Sequence, residues 1–222
     1  MRNALSVQRF DNEMAGLKEK LLIMASHAES AVRRVVEAFV KRDFDLAERV
    51  RAGDESIDRL EVEVDELAIQ LLSRGPAADQ LRLIAVAMKI SQNLERVGDE
   101  ATTIARRVQE LCQEAPLKVI VDLPQMANLA LAMLKNSLDA FVNQDPVAAR
   151  ALIPEDKKVD ALHKNIQRAL VEHMMKEPDT IPRCMNVTVI SKSLERIADH
   201  GKNVAEEVVY LCEARDIRHS GR

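Results

Sequence analysis

Two phrases in this chain are near copies: LERVGDEATTIA (Leu94 to Ala105) and LERIADHGKNVA (Leu194 to Ala205). The likeness extends well beyond them. MASHAESAVRRVVEAFVKRD (24–43) aligns with MANLALAMLKNSLDAFVNQD (126–145), and AGDESIDRL (52–60) with PEDKKVDAL (154–162), at a constant offset of 102. At the LER phrases the offset becomes 100, so the connection near Gly75-Pro76 is two residues longer than its counterpart near Pro178. Between 90–105 and 190–205, seven of sixteen positions are identical. A chain duplicated at this period must fold as two similar units, and the period is too long for a solenoid repeat.

Each unit reads as helical. The seven prolines (76, 116, 124, 146, 154, 178, 182) all fall between runs of apolar periodicity, where helices stop or start. In the first half, helices are expected at about 5–42, 44–74 (with a kink at Gly53) and 78–114. In the second half they are expected at about 125–143, 146–175 (interrupted at Pro154) and 182–215. The segment APLKVIVDLP (115–124) joins the halves, and the tail DIRHSGR is expected to fray. Aromatics are only 2% of the chain, so the core must be aliphatic. Met88, Leu94, Val97, Ala101, Ala105, Val108 and Leu111 form such a stripe at helical spacing. Three helices with short loops and one stripe each pack as an antiparallel bundle. The expected fold is all-α: two tandem, pseudo-symmetric three-helix bundles (1–115 and 125–222) with a linker at 116–124, elongated and side by side.

Several functional classes do not fit. A net charge of −4, with no basic block interleaved with aromatics, argues against nucleic-acid binding. No transmembrane segment is expected, since no run approaches the ~18 apolar residues that span a bilayer. The N-terminus carries charges where a signal peptide is apolar. Three cysteines without a CxxC read as reduced thiols of a cytoplasmic protein. Cys112 and Cys212, at equivalent helix ends, read as small buried hydrophobes. Nucleophile elbow, P-loop, dinucleotide turn and HExxH are all missing from the sequence, so an enzyme is not expected.

The chemistry lies in acid pairs. Glu95 and Asp99, four apart, share one helix face, and Glu195 and Asp199 repeat them. The second helices carry Asp54 with Asp58, and Asp156 with Asp160. If the second and third helices of each bundle face one another, each half presents four carboxylates in one patch. Such a patch must bind protons, recruit Arg or Lys, or hold a cation. Arg96, Arg196, Lys192 and Lys202 are near enough in sequence to be partners, and a lone ExxxD is ordinarily a solvated face. Four pairs at equivalent positions of a duplication weigh equally toward a cation. Gly98, Ala101, Ala198 and Gly201 beside the pairs leave room for something to approach. A ferritin-like di-iron site would need Glu-x-x-His, and Gly98 and Ala198 stand at those positions.

LERIADHGKNVAEEVVYL, together with the duplicated halves, DESID and the low aromatic content, resembles the PhoU family of bacterial phosphate-transport accessory proteins and phosphate-regulon regulators. The match covers nearly the whole chain. The resemblance implies two three-helix bundles, a homodimer, and metal ions on the E/DxxxD faces: Asp54, Asp58, Glu95 and Asp99 in one half, Asp156, Asp160, Glu195 and Asp199 in the other. It implies a negative regulator of the phosphate-starvation response that connects the ATPase of a phosphate ABC transporter to a sensor histidine kinase. His200 and Asn203 stand where the family has them, but their first-half counterparts are Glu100 and Thr103, and Arg107 replaces Glu207. Asn203, His200 and His163 are therefore further candidate ligands, and nitrogen from either histidine would favour iron or zinc over magnesium. With Arg107 competing for the first patch, the second is expected to hold metal more firmly. Two alternatives remain open at this stage: a metal-binding or metal-dependent phosphate-handling helical protein without a regulon role, and an adaptor whose acids are merely solvated.

Overall fold

The computed structural model describes residues 2–119 and 121–218, with side chains from Phe10 onward. Eight helices account for most of it: α1 (Arg2–Lys41), α2 (Phe44–Ala52), α3 (Glu55–Leu72), α4 (Ala78–Cys112), α5 (Leu123–Asn143), α6 (Pro146–Leu152), α7 (Asp156–Lys176) and α8 (Ile181–Glu213). There is no strand among the described residues. α1 to α4 form the first bundle and α5 to α8 the second. In each, the middle helix is broken once. In the first half the break is the Gly53–Asp54 turn, where the Gly53 amide caps the carbonyls of Val50 and Arg51. In the second half it is a turn of 3-10 helix at Ile153–Glu155 containing Pro154, the counterpart of Ala52. Proline has no amide hydrogen to continue the ladder.

The copies also share their caps. Asp43 and Asp145, repeat equivalents, accept the first free amides of α2 and α6. The residues before them, Arg42 and Gln144, are both left-handed, with φ of 53° and 50°. In each case the next amide reaches back to a carbonyl five residues upstream, Asp43 to Ala38 and Asp145 to Ala140, both at 2.9 Å. Glycine usually fills this position because a Cβ there costs about 1 kcal/mol. Gln144 is exposed, so Gln144→Gly is expected to stabilise the protein by about 0.5–1 kcal/mol in denaturant melts. A loss of stability would refute the strain at this cap.

The long helices α4 and α8 bury more than the single stripe expected of them. Adjacent residues are buried together at Val86–Ala87, Ile90–Ser91, Val97–Gly98 and Ile104–Ala105. Neighbours on a helix point ~100° apart, so two sides of α4 are covered: one by its own bundle, the other by α8. The polar links between the two helices fix their direction. Arg82 donates to the Leu211 carbonyl, Lys89 to Glu207, and Arg196 to Glu100. The helices therefore run antiparallel, and they cross near Val97–Gly98 and Ile197–Ala198, the middle of the repeated phrase. The two halves are related by a pseudo-two-fold axis through that point. An accessible surface of 11913 Å² exceeds the ~10,200 Å² of a compact chain of this mass, as an elongated shape requires.

The connections are more ordered than the sequence implied. Leu117, Val119 and Val121 of the linker pack against the core, and Arg183 donates to the Ala115 carbonyl. The tail does not fray at its start: Ile217 packs on the core and Arg218 pairs with the buried Glu207. The rest of DIRHSGR, including His219, lies outside the described residues.

Candidate metal centre

The first patch forms where the start of α3 lies against the middle of α4. Gly98 makes this possible. A Cβ there would meet the Asp54 carboxylate at 2.9 Å and the Ile57 side chain at 3.0 Å. What the missing side chain admits is α3 of the same bundle. Asp54 faces Thr102, Asp58 and Asp99; burial, with the charges of Asp58 and Asp99, pushes its carboxyl pKa up against the opposing effect of the Thr102 hydroxyl. Glu95 faces Asp99, Glu61 and Asp58, and burial first, then Asp99, raises it to about 7. Glu61 is raised by burial and by Asp65 and Asp58. The patch therefore holds six acids. Glu61 and Asp65, a further four-apart pair without a repeat in the second half, extend Asp54 and Asp58 down α3 at i, i+4, i+7 and i+11. One Asp65 oxygen is buried without a hydrogen-bond partner. Arg96 is the cation alongside, 3.4 Å from Glu95 and 3.5 Å from Asp99, and it is largely exposed. Arg107 does not compete here, since it pairs with Glu110 at 3.0 Å.

The second patch, between α7 and α8, has a different balance. Asp199 faces Glu195 and Asp160 and is raised mainly by burial. Two lysines are built in: Lys202 pairs with the buried Asp156, and Lys192 with Glu195. Their first-half counterparts are Thr102 and Gln92. His163 is the counterpart of Glu61, and it is 8% exposed. The Ser191 hydroxyl, 3.0 Å from His163 Nδ1, already donates to the Thr188 carbonyl, so it accepts the Nδ1 hydrogen. That leaves Nε2 with its lone pair, the state a metal-ligating imidazole needs. Burial also lowers the His163 pKa, which keeps the ring neutral.

His200 and Asn203 do not face this patch. Both bond to Asn93 of α4, His200 Nδ1 at 3.0 Å and the Asn203 amide at 3.3 Å. Here they tie the two halves together. Gly201 likewise serves packing, because a Cβ on it would lie 2.9 Å from the Leu134 backbone nitrogen of α5. Of the four cations near the acid pairs, Arg96, Lys192 and Lys202 neutralise acids of their own half, and Arg196 crosses to Glu100. Cys112 and Cys212 are half-buried thiols pushed up by burial, and Cys184 is buried.

Among the described residues, no three acid, histidine or cysteine side chains converge on one point as they would around a single ion. The donor chemistry nonetheless suits cations. The first patch is all oxygen, with an orphaned buried oxygen and three carboxyls pushed up by burial and by one another, which fits a hard divalent ion. The second adds a neutral imidazole nitrogen, which fits a borderline ion such as iron or zinc, but a metal there has to displace two lysines. The two lysines thus weigh against the order of strength expected from the sequence.

Comparison with known proteins agrees with this architecture. The family described as "PhoU domain" matches residues 21–108 and 123–208, once in each half. The phosphate-specific transport system accessory protein PhoU homolog of Pseudomonas putida is 38% identical over 96% of this chain and 84% of that protein. The accessory protein PhoU of Escherichia coli K12 is 33% identical over 96% of this chain and 89% of its own length. The crystal structure of PhoU from Pseudomonas aeruginosa superposes with a TM-score of 0.89 at 37% identity, covering 93% of this chain and all of that one. The phosphate transport system regulatory protein PhoU of Streptococcus pneumoniae gives 0.86 at 26% identity, over 94% of this chain and 99% of that one. With two family domains in tandem, these relatives spanning both, and the repeated LER phrases at the crossing of α4 and α8, the chain belongs to the PhoU family.

Proposed function

We propose that this chain is an accessory regulator of phosphate-specific transport, acting by protein–protein binding. The observation that carries this reading is the near full-length likeness to proteins named as accessory components of that system. Their name describes an accessory role, the Streptococcus pneumoniae protein is called regulatory, and we extend both to this chain. The partners in this reading are the ATPase of the phosphate transporter and a phosphate-sensing histidine kinase, held in its phosphatase-competent state while phosphate is plentiful. Both lie at the cytoplasmic face, and no helix among the described residues is long and apolar enough to cross a membrane. The working unit is a homodimer.

The architecture supports such a role physically. α4 and α8 are locked along their length by Lys89–Glu207, Asn93–His200 and Glu100–Arg196, so the halves form one stiff scaffold. Asp54, Asp58, Glu61, Glu95 and Asp99 would hold a divalent ion in the first half. Asp156, Asp160, His163, Glu195 and Asp199 would do so in the second. Bound metal supplies positive charge that joins the middle helix of each bundle to its last. The protein's own residues orient those carboxylates, release their protons, and present the helical faces to partners.

Deletion of the gene is expected to raise alkaline phosphatase in phosphate-rich medium, and the wild-type chain supplied in trans to restore repression. Unchanged phosphatase after deletion would rule out negative regulation.

A further inference from the structure

The duplication allows each surface of one half to be compared with its counterpart in the other, and one pair differs sharply. Between α1 and the α2–α3 turn of the first half lies a cleft of about 350 Å³. Ser26, His27, Ser30, Arg34, Arg49 and Ser56 supply its polar lining, over a floor of Val50 and Ile57. In the second half the counterpart region is divided between a hollow of about 60 Å³ and one of about 350 Å³, and Leu129, Ala132 and Asn136 stand where His27, Ser30 and Arg34 do. Arg49 has Ala151 as its counterpart. The scaffold therefore does not need these groups, since the copy folds without them.

Arg34 and Arg49 both line this one cleft. Their neighbours are engaged, Arg33 with Glu29 and Arg51 with Glu48 and Gln109. Among the described residues, the side chains of Arg34 and Arg49 have no ion pair or hydrogen bond. Two unpaired guanidiniums on one polar cleft repel each other, and an anion between them relieves this. The remaining groups narrow the anion. The Ser56 hydroxyl donates to the Gly53 carbonyl at 2.8 Å, so at 3.0 Å it accepts from His27 Nδ1. His27 Nε2 is thus left as an acceptor when the ring is neutral. Monohydrogen phosphate offers both what the arginines need and a P–OH donor for Nε2, and a phosphate monoester does so in the monoprotonated form it keeps up to about pH 6. Sulfate carries the charge but no proton. Glu55, the exposed acid next along, is outnumbered by the two arginines, and Asp54 turns away to Gly98.

We infer that this first-half cleft is a binding site for a phosphoryl anion that carries a proton, taken up as the free ion or as the terminal group of a small phosphate ester. The inference stands on the cleft and does not depend on the proposed regulatory role. It is tested by titrating the full-length protein with inorganic phosphate and, separately, phenyl phosphate, at ionic strength held constant with chloride. Binding is followed by calorimetry and by the His27 imidazole resonances, assigned with His27→Gln. Saturable one-site binding that moves the His27 signals is expected, weakened tenfold or more in Arg34→Gln/Arg49→Gln. Both arginines are exposed, so this variant should keep its fold, and circular dichroism checks that it does. Preference for the free ion or for the ester identifies the source of the phosphoryl group, and either supports the site. The site is overturned by the lack of saturable binding, by binding that leaves His27 unmoved, by an unaffected arginine variant, or by sulfate binding as tightly as phosphate.

Discussion

Gly201→Ala should lower stability by about 2 kcal/mol, or roughly 5 °C in melting temperature. The added Cβ would sit 2.9 Å from the backbone nitrogen of Leu134, 3.2 Å from its Cα and 3.2 Å from the carbonyl carbon of Met133. All three are backbone atoms of α5, so α5 and α8 would have to separate as helices. Overpacking of this kind costs about 1–3 kcal/mol, sometimes more, and the gain of about 1 kcal/mol from replacing a helical glycine offsets only part of it. Gly98→Ala is the control. Its new Cβ meets the ends of the Asp54 and Ile57 side chains, which can rotate, so its net effect should lie within about 1 kcal/mol of zero. Thermal melts of both variants decide the matter. If Gly98→Ala is the more damaging, the close crossing of α5 and α8 has been misread.

Glu95→Gln should make the metal-free protein more stable at about pH 8, by about 1–2 kcal/mol, and leave it nearly unchanged at about pH 5. The sign follows from where the proton sits. Folded Glu95 keeps its proton to about pH 7, against an ordinary value of 4.5. Between those values the folded state binds more protons than the unfolded one, so stability falls as pH rises through the window. Below it the contribution is fully present, and above it an ionised Glu95 faces Asp99, Glu61 and Asp58. The group is partly solvated, which is why the effect is set well below the full linkage value. A divalent ion should act as the proton does. Magnesium or manganese added at high pH should raise the wild-type melting temperature and do so less for Glu95→Gln, while Glu195→Gln should retain most of the response. Denaturant titrations at both pH values, with chelator and with metal, measure all of this. A Gln variant less stable than the wild type at high pH in chelator would refute the acid–acid repulsion. A metal response lost only in Glu195→Gln would restore the second patch as the stronger.

The parts of this molecule that a sequence displays are those set by spacing along one helix. The duplication, the helix ends at prolines and the four acid pairs are of that kind. Orientation between helices is not. Asn203 is four residues after Asp199 and should share its face, yet its amide reaches Asn93 in the other half. His200, one residue past Asp199, points ~100° away from it and does the same. Glu61 and Asp65 are also four apart, but their second-half counterparts are His163 and Gln167, so the repeat does not mark them. The lysines that neutralise the second patch were visible as neighbours, but which acid each one takes depends on how α7 lies across α8. The glycines mark places where something comes close, and the packing of the helices decides what: a side chain at Gly98 and a backbone at Gly201.

The antiparallel crossing of α4 and α8 through the repeated phrase is the arrangement produced by joining two identical subunits of a symmetric dimer end to end. In such a dimer every substitution in the shared interface appears on both sides at once, so a favourable lysine–glutamate contact has to be written in a single gene compatible with both positions. A fused chain is released from that requirement. Lys89 meets Glu207, whereas the mirror-related positions are Val189 and Arg107. Asn93 meets His200, whereas their mirror is Ser193 and Glu100. Each half is thereby free to specialise without unsettling the other, and a single polypeptide can present two different faces from one ancestral shape.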